Sequence, residues 1–144
     1  MVSKKVMEYF TPYDDCFKCH GDSEDNIAEF GEGCGCNFSL PDGGIAQEEI
    51  DLLNSIQEYC FNMYGDGATL TFSCGYRCQY HNDRLSGSVP NSEHVQGYAG
   101  DVIPPDCMTV DELADIAIQC GAGGVGRYHS MGFVHIDSGA RRDW

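Results

Sequence analysis

Positive charge is scarce in this chain: eight Lys and Arg stand against 23 Asp and Glu, for a net charge of −15 at neutral pH. Binding nucleic acid through its phosphates needs clustered Lys and Arg, so that class of function is excluded. Simple electrostatic docking onto anionic membranes or wall polymers is disfavoured for the same reason. Long apolar runs are also missing, and none approaches the roughly 20 residues of a membrane span. Residues 1–10 start basic without reaching an apolar core region, so no signal peptide is expected. Action on a cell wall would then require delivery by lysis, a virion or a removed leader. There is no internal repeat and no low-complexity tract. At 144 residues the chain fits one domain, expected to be a monomer whose carboxylates form a solvated surface.

Cysteine, by contrast, is abundant: nine residues is too many for a typical cytosolic domain of this length. They divide into an N-terminal group (Cys16, Cys19, Cys34, Cys36), with His20 adjacent, and a dispersed set (Cys60, Cys74, Cys78, Cys107, Cys120). The N-terminal spacing can close a tetrahedral structural zinc site or two short disulfides, and both readings stay open. Cys16-Phe17-Lys18-Cys19-His20 also matches the pattern of c-type haem attachment, but a five-residue match arises readily by chance in a cysteine-rich chain. The odd total leaves at least one thiol free or paired with another molecule, unless a metal takes it.

The pattern of apolar residues predicts an α+β domain, a small antiparallel sheet with helices on one side. Residues 1–44 read as an irregular, cysteine-rich N-terminal arm, with Phe10, Phe17, Phe30 and Phe38 available to pin it to the core; residues 45–144 read as the main domain. Ile45, Glu49, Leu52, Leu53, Ile56, Cys60 and Met63 share a helical face that ends at Gly65-Asp66-Gly67. A strand follows over 68–73, a short polar helix within 75–85, a loop over 86–91, and a second strand over 98–103 stopped by Pro104-Pro105. Thr109 and Glu112 form a capping box for a second amphipathic helix. Two short strands close the chain, around 125–128 and 133–137.

The chemistry concentrates in two segments. Ser92-Glu93-His94-Val95-Gln96-Gly97-Tyr98-Ala99-Gly100-Asp101 places a histidine and a carboxylate seven residues apart, and Phe133-Val134-His135-Ile136-Asp137 supplies a second histidine. Two imidazoles and one carboxylate hold zinc while leaving a fourth position open, which is what a hydrolytic zinc site needs. His94, Asp101 and His135 are therefore the expected metal ligands, with His94 in the loop before its strand. His135 and Asp137 point to one face of theirs, because strand side chains alternate. His20 and His81 read as structural or solvent-facing.

These segments occur in a fixed order with Thr71-Phe72-Ser73-Cys74-Gly75-Tyr76-Arg77, Asn82, Gly123-Gly124-Val125-Gly126-Arg127-Tyr128, Gly132, Ser138-Gly139 and Trp144. Over roughly residues 45–144 the chain resembles the zinc D-Ala-D-Ala carboxypeptidase and murein endopeptidase family, whose fold is shared with the hedgehog signalling domain. The resemblance implies zinc at His94, Asp101 and His135, and hydrolysis of peptide bonds in peptidoglycan stems or cross-links, as in a phage endolysin. It places Arg77 where relatives hold a substrate carboxylate, for which a guanidinium fork is suited. Ser92 falls where it could bond a ligand or the substrate. One position departs from the pattern: several relatives carry a general-base glutamate three residues before the final histidine, and here that residue is Gly132. Asp137 is the preferred replacement base and His129 the second candidate. The missing glutamate also leaves room for a weakly active or inactive zinc binding module, or for a virion component with a structural cysteine cluster.

Overall fold

The computed structural model of the protein describes residues 8–85 and 92–144; the loop expected over 86–91 lies outside them. Five strands form one sheet: β1 (Thr71–Cys74), β2 (Ala99–Ile103), β3 (Gly124–Tyr128), β4 (Phe133–Asp137) and β5 (Arg142–Asp143). Their order is β1-β2-β4-β3-β5. The first four pair antiparallel, as the alternation predicted, with β3 and β4 consecutive neighbours. Strand β5 was not anticipated and lies parallel to β3. Two residues are too short to show an alternation.

Strand period two divides the sheet into two faces. Val102, Val125, Val134 and Ile136 are fully buried, and pack with Ile50, Leu53 and Ile56 of helix α2 (Gln47–Tyr64) and Leu113 and Ala117 of helix α5 (Val110–Gln119). Each Val, Leu or Ile among them contributes about 1.5–3 kcal/mol by leaving water. The buried positions of α2 end at Cys60. Met63, expected on the same face, is exposed, while Phe61 and Tyr64 of the same turn are the residues that pack against the apolar cluster. The capping box of α5 forms as expected: Thr109 accepts from Glu112 N–H while the Glu112 carboxylate accepts from Thr109 N–H.

The opposite face of β2 and β4 presents Asp101 and His135, which stand directly across from each other. Helix α3 (Gln79–Arg84) and the one-turn helix α4 (Glu93–Gln96) border this face. His94 therefore sits in a helical turn rather than the expected loop. Ser92 accepts from His94 N–H at its start, and Gly97, at φ 79°, closes it in a left-handed conformation.

The N-terminal arm is more ordered than its composition suggested. It contains a 3-10 turn at Asp15–Phe17 and a seven-residue helix, α1 (Glu24–Phe30), capped by Ser23. Phe17 is buried and meets Phe72 edge to face at 5.0 Å, while Phe10 meets Phe72 at 5.2 Å. These two rings pin the arm to the sheet. Phe30 instead packs under the Arg84 guanidinium at 4.3 Å, and Phe38 remains exposed.

The junction between α2 and β1 depends on a single buried amide. Gln57 donates to Ala68 C=O at 2.8 Å and accepts from Leu70 N–H at 2.9 Å. Gln57→Leu keeps the volume but orphans both backbone groups, each at about 1–3 kcal/mol. Urea unfolding should show a midpoint well below wild type; an unchanged midpoint would mean water replaces the amide.

Candidate metal centre

Three side chains from separate elements converge on one point. His94 Nε2 lies 3.1 Å from Asp101 Oδ1, and His135 Nδ1 lies 3.2 Å from each of them. Ligand atoms on a tetrahedral zinc with arms of about 2.0–2.1 Å are separated by about 3.3 Å. The donor set and its spacing therefore fit a zinc ion. All three groups are largely buried, with His94 at 2% exposure.

Each imidazole is held by its other ring nitrogen. His94 Nδ1 lies 2.7 Å from Gly75 C=O, which fixes Nδ1–H as a donor and frees Nε2. His135 Nε2 lies 2.7 Å from Asp137 Oδ2, which frees Nδ1. Asp137 is fully buried, and its Oδ1 accepts from Gly124 N–H at 2.8 Å and Gly139 N–H at 3.0 Å. The carboxylate expected as the base thus stands behind the His135 ring, on the nitrogen that faces away from the convergence point. His129, the second base candidate, is exposed and pairs with Asp111 at 2.9 Å, outside the groove that the three donors enter. Gly132 lies in the turn between β3 and β4 with φ 76°, a conformation that a glutamate would adopt only under strain.

That groove has a volume of about 1190 Å³ and runs from the sheet face to α1, so the arm supplies one wall. Arg77 lines it. One guanidinium nitrogen donates to Ser92 Oγ at 3.2 Å, and the buried Nε–H has no partner among the described residues. Ser92 is thus both the cap of α4 and a brace for Arg77. The Trp144 ring lies 5.1 Å from that of His135, and its N–H donates to Tyr128 Oη at 2.9 Å.

The glycines of Gly123-Gly124-Val125-Gly126 acquire a reason here. Gly124 and Gly126 pair with Asp137 and His135 across the β3–β4 ladder. A Cβ at Gly124 would run into the Asp137 carboxylate, and one at Gly126 would stand 2.6 Å from the Trp144 indole. Only glycine leaves room for both groups to close on the metal face.

Electrostatics match the donor chemistry. Burial alone would raise the Asp101 pKa, but the two imidazoles hold it well below the usual carboxylate range. Burial also opposes charge on His94, yet the Cys74 sulfur, 3.7 Å from Nδ1, and the Asp101 carboxylate bring its pKa up to about 10. Cys74 was not anticipated from sequence; with His94 and Asp101 it is also close enough to hold an ion, but it stands on the Nδ1 side of the ring, which Gly75 already occupies. A cation at the three donors must displace the His94 proton, so its affinity falls as pH falls.

Of the four N-terminal cysteines, the structure gathers only three. Cys19, Cys34 and Cys36 cluster with Cys78, the N-cap of α3, whereas Cys16 is half-buried against the apolar core. Chain folding, not local spacing, decides this: Cys78 is 59 residues from Cys19, and its N–H donates to Cys19 Sγ at 3.4 Å. Burial opposes ionisation of Cys36, but bonds from Ser39 and from Cys34 lower its pKa to about 7.

With this geometry established, similarity to known proteins is informative. The family model described as peptidase M15 matches residues 28–137. The chain belongs to the peptidase M15 family, a zinc-dependent, D-Ala-D-Ala carboxypeptidase-like group of metallopeptidases. It is also 35% identical over 74 residues to the peptidoglycan L,D-endopeptidase MepK of Escherichia coli (strain K12), and equally to that of Shigella flexneri. The matched region is 49% of this chain and 40% of the relative, so the chain spans well under two thirds of the curated relatives it matches.

One buried acid beside the site has no hydrogen-bond partner among the described residues. Glu49, on the first turn of α2, is fully buried with neither carboxylate oxygen hydrogen-bonded. Burial, then the nearby Asp137 carboxylate, raises its pKa well above the ordinary 4.5. A carboxyl raised in this way favours the fold below its unfolded pKa and costs stability as pH climbs above it. In zinc-free protein, Glu49→Gln should raise the thermal midpoint at neutral pH by about 2–4 °C per kcal/mol relieved, with the gap closing near pH 4. A lower midpoint for the variant at neutral pH would show that the ionised carboxylate is stabilised.

Proposed function

We propose that the protein is a zinc peptidase that hydrolyses peptide bonds in peptidoglycan stem peptides or cross-links, with one zinc held by His94 Nε2, Asp101 Oδ1 and His135 Nδ1. The observation that carries this reading is the convergence of those three atoms within 3.2 Å at the wall of an open groove. Membership of the M15 family and the likeness to a peptidoglycan endopeptidase support the substrate class. When bound, zinc supplies Lewis acidity that polarises a peptide carbonyl and acidifies water.

The remaining work belongs to the chain. Gly75 C=O holds the proton on His94 Nδ1, and Asp137 holds it on His135 Nε2, so both rings present the correct lone pair. Arg77, braced by Ser92, keeps its Nε–H free for a substrate carboxylate and so sets the register of the peptide in the groove. Asp137 acts as the acceptor that orients His135 and not as the base, because neither of its oxygens faces the groove.

Digestion of purified peptidoglycan, read as released muropeptides, tests the reading. Wild type should release products, and His135→Ala should release none. No release by either protein would favour a zinc binding module in place of an enzyme.

The role of Asp137 gives a separate expectation. Asp137→Asn preserves shape, but an amide N–H facing His135 Nε2 forces the ring proton onto Nδ1, where the lone pair is needed. Zinc affinity, measured by competition with a chelator, should weaken about 10–100-fold. Loss of turnover at undiminished zinc affinity would instead restore Asp137 as the base.

A further inference from the structure

We propose that Cys19, Cys34, Cys36 and Cys78 form a second, structural zinc site, a tetrathiolate that ties the N-terminal arm to the wall of the groove. This inference does not depend on the peptidase reading. The four sulfurs lie within 4.8 Å of one another. Cys34 and Cys36 are 3.3 Å apart, and Cys19 and Cys34 are 3.9 Å apart. Zinc–sulfur bonds of about 2.3 Å in a tetrahedron place the sulfurs about 3.8 Å apart. Two disulfides would need only two close pairs, whereas a shared ion needs all four sulfurs mutually close, as they are here.

The backbone around the quartet is arranged for thiolates. Cys19 Sγ accepts N–H bonds from Cys78 and Gly21, Cys34 from Cys36, Cys36 from Ser39, and Cys78 from His81. Every sulfur therefore has a donor that stabilises negative charge, and four thiolates gathered this closely, Cys19 buried and the other three half-buried, in turn require a cation. Gly21 is glycine for the same reason: a Cβ there would run into Cys34 Sγ. Soft sulfur donors in this geometry select zinc over hard cations.

The consequence for the groove follows from the chain. Cys78 directly succeeds Arg77 and caps α3, and the arm that carries Cys19, Cys34 and Cys36 also carries His20, Asn26, Glu29 and Phe30 of the groove wall. One ion would therefore fix the arm, α3 and the Arg77 backbone relative to each other.

The test is metal analysis of the full chain purified under reducing conditions. Wild type should carry two zinc ions, and a His94→Ala/His135→Ala double variant should keep one. Loaded with cobalt, that double variant should show the sulfur-to-cobalt charge-transfer absorption of a tetrathiolate. Adding Cys78→Ser or Cys36→Ser should abolish both signals, while Cys16→Ser should leave them intact. If the serine variants fail to fold, the double variant still decides, since four thiols should be shielded from alkylation and released together with one zinc. No metal in the double variant, or iron in place of zinc, overturns the proposal, as does recovery of these four cysteines as two disulfides. Failure of the peptidase reading would appear separately, as absence of the ion that the histidine variants remove.

Discussion

Asp101 and His135 face each other across the β2–β4 ladder, and nearly everything else at the site is built around that pair. Strand side chains alternate, so a slip of one residue would turn His135 into the apolar core and bring Val134 or Ile136 to the metal face. The register is held because Val102, Val134 and Ile136 are fully buried against α2 and α5. The core therefore does more than stabilise the fold. It sets which face of the sheet presents a carboxylate opposite an imidazole.

The third donor reaches the pair by a different route. His94 comes from a one-turn helix whose start is capped by Ser92 and whose end turns at Gly97, directly before β2. Six residues lie between His94 and Asp101, enough for the rest of a helical turn, a left-handed glycine, Tyr98 and two strand residues. The short interval in sequence is therefore converted into a contact of 3.1 Å. Arg77 N–H donates to His94 C=O at 3.2 Å, which joins this turn to the segment after β1.

Much of this was legible in the sequence because it follows from local periodicity. The shared face of His135 and Asp137, the capping box at Thr109 and the β2 and β4 strands all come from patterns a few residues long. What was not legible depends on distances set by the whole fold. Which side of the His135 ring Asp137 occupies is decided by the β3 backbone, where Gly124 N–H takes the other carboxylate oxygen. Cys78 replaces Cys16 in the cysteine cluster because α3 folds back onto the arm, a contact across 59 residues with no local signature. Glu49 occupied an apolar helical position in the sequence pattern, and burial there was readable, but its proximity to Asp137 was not.

The charge distribution imposes a last constraint. A chain of net charge −15 repels an anionic ligand, yet the groove is lined by Arg77, Arg84 and Arg142, three of its eight cations. Two of these are committed elsewhere. Arg84 donates to Gly21 C=O and Glu32 C=O and covers Phe30, while Arg142 pairs with Asp137 and covers Trp144. Arg77 alone among the three keeps a buried guanidinium N–H without a partner among the described residues. An orphaned donor of that kind costs about 1–3 kcal/mol, which an incoming carboxylate would recover. The cationic donor left open in this otherwise acidic molecule thus lies in the same groove as His94.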